Sequence, residues 1–188
     1  MITIKESGLV FNFPDGDCFL IEQDDVAKKP NVKVCECVAR VQGKDLYAFI
    51  EAKSSAPREK NFDRSKICYG GKPIDASWTM QTDFDIFVND ICQKFEDSFS
   101  AYYALSAGCH GAEAKRHIPS RCKGFNNTNV RFMLIINGFK EEWCCPLNDA
   151  LKKRFRHFLN AWNIPDFSVK TLNQTGARAA GIDITTTE

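Results

Sequence analysis

Phe49-Ile50-Glu51-Ala52-Lys53-Ser54-Ser55 is the stretch on which the fold turns. It closes a run of strand-forming residues, 46–54, and a second such run covers 32–41. Between them, Gln42-Gly43-Lys44-Asp45 has the composition of a hairpin turn. Side chains alternate along a strand, so Val34, Val38, Tyr47 and Phe49 fall on one face and Cys35, Cys37, Ala48 and Ile50 on the other. Both faces are apolar, which predicts a sheet covered on both sides, as in a layered α/β domain.

The same alternation sends Glu51 and Lys53 to one face, and either charge is costly to bury alone. With Val41 facing Leu46 across the turn, Glu36 falls directly opposite Glu51. Cross-strand Cβ atoms lie about 4.5–5.5 Å apart, and like charges so placed repel. Glu36 is also flanked by Val34, Cys35, Cys37 and Val38, which is no place for an idle charge. Two carboxylates held together in an apolar hairpin call for a cation, and an oxygen site suits Mg²⁺ or Mn²⁺. The Ala52 carbonyl is a candidate third oxygen.

Outward from this hairpin, Leu9-Val10-Phe11-Asn12-Phe13, a Pro14-Asp15-Gly16-Asp17 turn and Cys18-Phe19-Leu20-Ile21 read as a hairpin, or as a strand with an irregular lead-in. Residues 55–80 read as a long loop. Thr82 or Asp83 caps a helix running to about Ala107, with Phe87, Ile91, Phe95, Phe99 and Tyr102 on one buried stripe and Gly108 at its end. Residues 109–129 read as loop and 130–137 as a buried strand closed by Gly138. Leu147, Leu151, Phe155, Phe158 and Trp162 form the stripe of a second helix, stopped by Pro165, and 167–172 suit a last short strand. No internal repeat or linker is visible, so 1–188 is expected to be one domain.

Composition narrows the classes. Apolar residues make up 44% and charged residues 26%, as in globular chains, while a net charge of +1 excludes a global basic field for nucleic acid. Nine cysteines is an odd number, and Met-Ile-Thr-Ile-Lys-Glu-Ser lacks the layout of a secretory leader, so free thiols in a reducing cytoplasm are expected. The apolar run 132–136 is too short for a bilayer, which takes about 20 residues. A local basic patch remains: Lys60, Arg64, Lys66 and Lys72 follow the hairpin, with Phe62 and Tyr69 interleaved, a composition that tracks phosphates and stacks bases. Lys152, Lys153, Arg154 and Arg156 lie opposite the second helix's apolar stripe, where charge usually serves solubility. Cys109-His110, His117 and Cys122 contain zinc-ligand types at a spacing that matches no familiar pattern.

Val34-Cys35-Glu36-Cys37 and Phe49-Ile50-Glu51-Ala52-Lys53, with fourteen residues between the glutamates, resemble the PD-(D/E)xK, or restriction-endonuclease-like, superfamily. There a strand acid is followed by (Asp/Glu)-x-Lys on the neighbouring strand. The resemblance covers about residues 30–165 and implies a central mixed sheet flanked by helices. It departs in the first acid, usually aspartate, and in the lack of a preceding acidic helix; Glu22, before Asp17 or Asp24, is the candidate substitute. The literal Pro14-Asp15 pair sits in a turn and is set aside. The resemblance implies Mg²⁺-dependent hydrolysis of a nucleic-acid phosphodiester, DNA before RNA, leaving a 5′-phosphate. Glu36 and Glu51 would hold the metal, and Lys53 would orient the attacking water and stabilise transition-state charge. No DNA-reading motif is present, so specificity would come from a protein partner. Family analogy suggests defence against phage or mobile DNA. The rival is a catalytically silent nuclease-fold module that binds nucleic acid or protein.

Overall fold

The computed structural model describes residues 1–57, 83–123 and 126–187, together with the backbone of 68–69 and 72–73. In chain order, β1 (Ile2–Glu6), β2 (Leu9–Phe13), β3 (Cys18–Phe19), β4 (Cys37–Arg40) and β5 (Tyr47–Lys53) precede a pair of two-residue strands, β6 (Cys68–Tyr69) and β7 (Lys72–Pro73). There follow α1 (Asp83–Ala107), α2 (Ala112–His117), β8 (Val130–Ile136), α3 (Glu141–Ala161), β9 (Val169–Leu172), α4 (Gln174–Ala180) and β10 (Ile184–Thr186).

The chain is mixed α/β. Its main sheet has five strands in the order β3-β4-β5-β8-β9. β3 pairs antiparallel with β4 and β4 antiparallel with β5, whereas β8 lies parallel to β5 and β9 parallel to β8. A tight turn suffices for the antiparallel pair, and Gly43 supplies its positive φ of 71°. Parallel neighbours need long crossovers, which contain α1 between β5 and β8 and α3 between β8 and β9.

β5 is buried on both faces because it has a layer on each side. Phe49, with Phe132, Leu134 and Ile136 of β8, packs among the apolar stripes of α1 and α3. Ala48, Ile50 and Ala52 pack with Met133 and Ile135 against Leu9, Phe11 and Ile184 of a second sheet, β1-β2-β10. Three layers result: helices, mixed sheet, small antiparallel sheet. Glu51 and Lys53 share the alternation of Phe49 and therefore project into the helical layer.

Several expectations need correction. β2 and β3 do not form a hairpin with one another: β2 pairs with β1 and β10, and β3 with β4. The strand expected over 32–41 shortens to Cys37–Arg40. Cys35, expected opposite Val34, joins Val34 in the core on the helical side. The 109–129 loop contains α2, and two further elements, α4 and β10, follow β9. α4 begins at an Asn173 side chain that accepts the Gly176 N–H and ends at Gly181, φ 97°. The eight described cysteines are free thiols, and among the described residues no helix is long and apolar enough to cross a membrane.

Candidate functional site

The turn expected at 42–45 sets the register: Val41 N–H donates to the Leu46 carbonyl at 2.8 Å, and the ladder runs from Arg40–Tyr47 to Cys37–Ile50. Glu36 is the next residue, but the ladder stops before it. Its N–H donates to the Ile50 carbonyl at 3.0 Å, so the chain bends there rather than continuing the strand. α1 is the reason. The Lys33 N–H donates to Asp97 and the Cys35 N–H to Ser98 Oγ at 2.7 Å, while Lys33 Nζ pairs with Asp90. The N–H groups of Lys33 and Cys35 are thus satisfied on helix side chains, and Glu36 is delivered to the edge of β5 from that anchor.

Glu51 is the centre of the cluster. Its side chain is 0% exposed, and Oε1 receives Lys53 Nζ at 2.6 Å and Lys94 Nζ at 2.7 Å. Oε2 is buried with no hydrogen-bond partner among the described residues. Burial pushes the Glu51 carboxyl up, against the pull of Lys94 and Lys53. Burial also opposes charge on Lys94, yet Glu51, with Glu36 and Asp90, holds that ammonium above the ordinary lysine range. Both shifts are upward, which favours the neutral form of the carboxyl and the charged form of the ammonium. Two ammonium donors on one oxygen require an anionic acceptor, so the ionised carboxylate is the form that fits the geometry.

Glu36, 8% exposed, is the second acid. Burial first, then the Glu51 charge, then a hydrogen bond with Glu22 push its carboxyl up to about 8. Two carboxyls hydrogen-bonded to each other need a proton between them. Glu22 reaches Glu36 from a single 3-10 turn, Ile21–Gln23, that follows β3, and is itself exposed.

A raised carboxyl favours the folded state only while it is protonated. This contribution is fully present below the unfolded value near 4.5 and is lost as pH rises through about 8. Glu36→Gln imitates the protonated form at every pH. Its melting temperature relative to wild type, measured in chelator, should therefore climb between about pH 5 and pH 8. A difference that stays flat across that window would mean that Glu36 carries no such proton.

The other sequence candidates sort by position. The Ala52 carbonyl accepts a hydrogen bond from Ser7 Oγ at 3.2 Å, so one of its lone pairs is engaged. Asp17 pairs with Arg121, and Asp24 with His117 and the Val26 N–H; of the three upstream acids it is Glu22 that bonds Glu36. Cys109, His110, His117 and Cys122 are not gathered: His110 meets Lys29, and Cys122 Sγ points to the Gly16 carbonyl. Among the described residues no group of three or more His, Cys, Asp or Glu stands ready to hold a metal ion. Lys60, Arg64 and Lys66 lie outside the described residues, as does the side chain of Lys72.

Lys94 is the site residue that sequence reasoning missed. The available signal was its place beside Phe95 and three residues after Ile91, on the edge of the buried stripe of α1. No family model, no curated protein and no solved structure matches the chain.

Proposed function

We propose that the chain is a metal-dependent nuclease with a restriction-endonuclease-like core over about residues 30–165, acting on DNA in preference to RNA. One observation carries the reading: a buried carboxylate oxygen, Glu51 Oε2, without a partner among the described residues, in a cluster that holds a second buried acid and two lysines. An unpartnered buried oxygen costs about 1–3 kcal/mol or more, which a fold tolerates where a ligand supplies the partner. A hard divalent cation, Mg²⁺ or Mn²⁺, suits the all-oxygen donors on offer.

Glu51 Oε2 and Glu36 would hold the ion, with the free lone pair of the Ala52 carbonyl and the neighbouring Glu22 as further donors. Glu36 gives up its proton when it takes that role. The ion, when bound, supplies Lewis acidity toward the phosphoryl oxygens and a lowered pKa for water. Lys53, at 29% exposed, keeps its ammonium at the open side of the cluster. There it orients the attacking water and opposes the negative charge that grows on the phosphoryl oxygens.

A second reading is a silent module of the same fold that binds nucleic acid or a protein. It is favoured by the saturation of Glu51 Oε1 with two lysines and by the lack of a three-acid group among the described residues. Plasmid, linear duplex, single-stranded DNA and RNA, each incubated with Mg²⁺, Mn²⁺ or chelator, separate the two. The nuclease reading expects ion-dependent cutting that Lys53→Ala slows by about 10²–10³-fold. Folded wild type that cuts none of the four substrates would leave the silent module standing.

A further inference from the structure

The geometry points to Lys94 as a second phosphate-binding lysine of this site, one that grips the non-bridging oxygens of a phosphodiester alongside Lys53. The inference rests on the nuclease reading and adds a residue for which the (Asp/Glu)-x-Lys motif has no place.

Lys94 and Lys53 arrive at Glu51 from different elements. Lys53 comes from the same strand, two residues on, while Lys94 comes from the middle of α1. One counter-charge would already neutralise Glu51, yet two ammonium groups crowd Oε1 and neither turns to Oε2. A pair of lysines recruited only to bury a carboxylate would be expected to use both oxygens, because unmade hydrogen bonds at buried charges are costly. The side chain of Lys94 is 18% exposed, so its ammonium retains a route to solvent and to a ligand.

Charge counting gives the same answer. Among the described residues, the acidic groups that face Lys94 are Glu51, Glu36 and Asp90, and Asp90 is already paired with Lys33 at 2.7 Å. Once Glu36 and Glu51 are committed to a divalent ion, their negative charge is spent and both lysines lose their counter-charge. Two half-buried ammonium groups then require an anion, and the phosphodiester is the anion the site is built to receive. A helix-borne lysine acts here as a compact point charge, suited to a phosphate that moves during reaction.

The test is the salt dependence of binding. A fluorescent DNA duplex with phosphorothioate linkages, which keeps the backbone charge and slows cutting, is titrated with wild type, Lys94→Met and Lys94→Arg in Mg²⁺ over a range of salt. One lost phosphate contact lowers the slope of log affinity against log salt by about 0.9. Lys94→Met should show that drop, weaken binding equally on unrelated sequences and raise KM for cleavage, while Lys94→Arg should restore the slope. A merely structural lysine would leave the slope untouched. If Lys94→Met does not fold, Glu51→Gln with Lys94→Gln is compared with Glu51→Gln alone, and the same drop is expected. An unchanged slope in Lys94→Met, beside a wild type that cuts, would overturn the role of Lys94 and leave the nuclease reading standing. A wild type that neither binds nor cuts would overturn both.

Discussion

On the proposed nuclease reading, Glu51→Gln should abolish ion-dependent cutting, by about 10³-fold or more, in a chain that still folds. The substitution keeps the shape of the side chain and removes its charge, so it separates chemistry from packing. On the chemical side it takes away the acid whose Oε2, unpartnered among the described residues, is the proposed seat of the cation, and loss of one electrostatic element of such a site costs about 10²–10³-fold by itself. The ion's other contributions fall with it. On the structural side, breaking a fully buried ion pair costs about 3–5 kcal/mol. The side chains of Lys53 and Lys94 are 29% and 18% exposed, so water takes over part of their solvation, and relief of the buried Glu51 charge offsets more. The net expectation is about 1–3 kcal/mol, or a melting temperature lower by on the order of 5 °C. A second readout isolates the ion. Mg²⁺ at about a hundredfold over its dissociation constant should stabilise wild type by about 2.7 kcal/mol and leave the variant unmoved. Cutting that survives in Glu51→Gln would remove this carboxylate from the mechanism.

The register that brings Glu36 and Glu51 together was readable because it depends on local signals: a Gly43 turn and the alternation of apolar residues on two short strands. Observed pairs such as Val38–Phe49 and Ala39–Ala48 follow from it. What alternation does not reveal is where a strand ends. Residues 33–35 leave the strand because Asp97 and Ser98, more than sixty positions later, offer their backbone better partners. Lys94 was hidden for a related reason, since a lysine on a helix normally reads as solvated surface. The small sheet was hidden by its composition. Only Ile2, Ile4 and Glu6 of β1 are even half-buried, and β10 is three residues long. Pro14-Asp15-Gly16-Asp17 has the chemistry of a hairpin turn, and the Asp17 N–H does close on the Pro14 carbonyl. It nevertheless carries the chain from one sheet to another, a distinction that only the partners of β2 and β3 decide.

Phe132→Ala has the largest expected effect on stability, and the reason lies in how the helical layer is joined to the sheet. Phe132 is fully buried at the middle of β8, paired in register with Phe49 of β5. Its ring lies 5.4 Å from Phe49, 5.4 Å from Phe95 and 5.0 Å from Phe155, so one side chain links the central strand to both long helices. Truncation to alanine removes that link and leaves a cavity between rigid elements, at a cost of about 3–5 kcal/mol. Typical domains have about 5–15 kcal/mol in total, so urea denaturation should show a midpoint far below wild type, with a fall in melting temperature on the order of 10 °C. Phe132→Leu refills much of the space and should lose markedly less. The consequence reaches the site through Phe95, whose neighbour on α1 is Lys94. With the seat of Phe95 emptied, α1 loses its fixed height over β5, and the 2.7 Å pairing of Lys94 with Glu51 is the first polar contact to suffer. On the proposed nuclease reading, cleavage by Phe132→Ala should therefore fall even at temperatures where the variant is fully folded. A cost below about 1 kcal/mol would mean that the helical layer docks on the sheet without this ring.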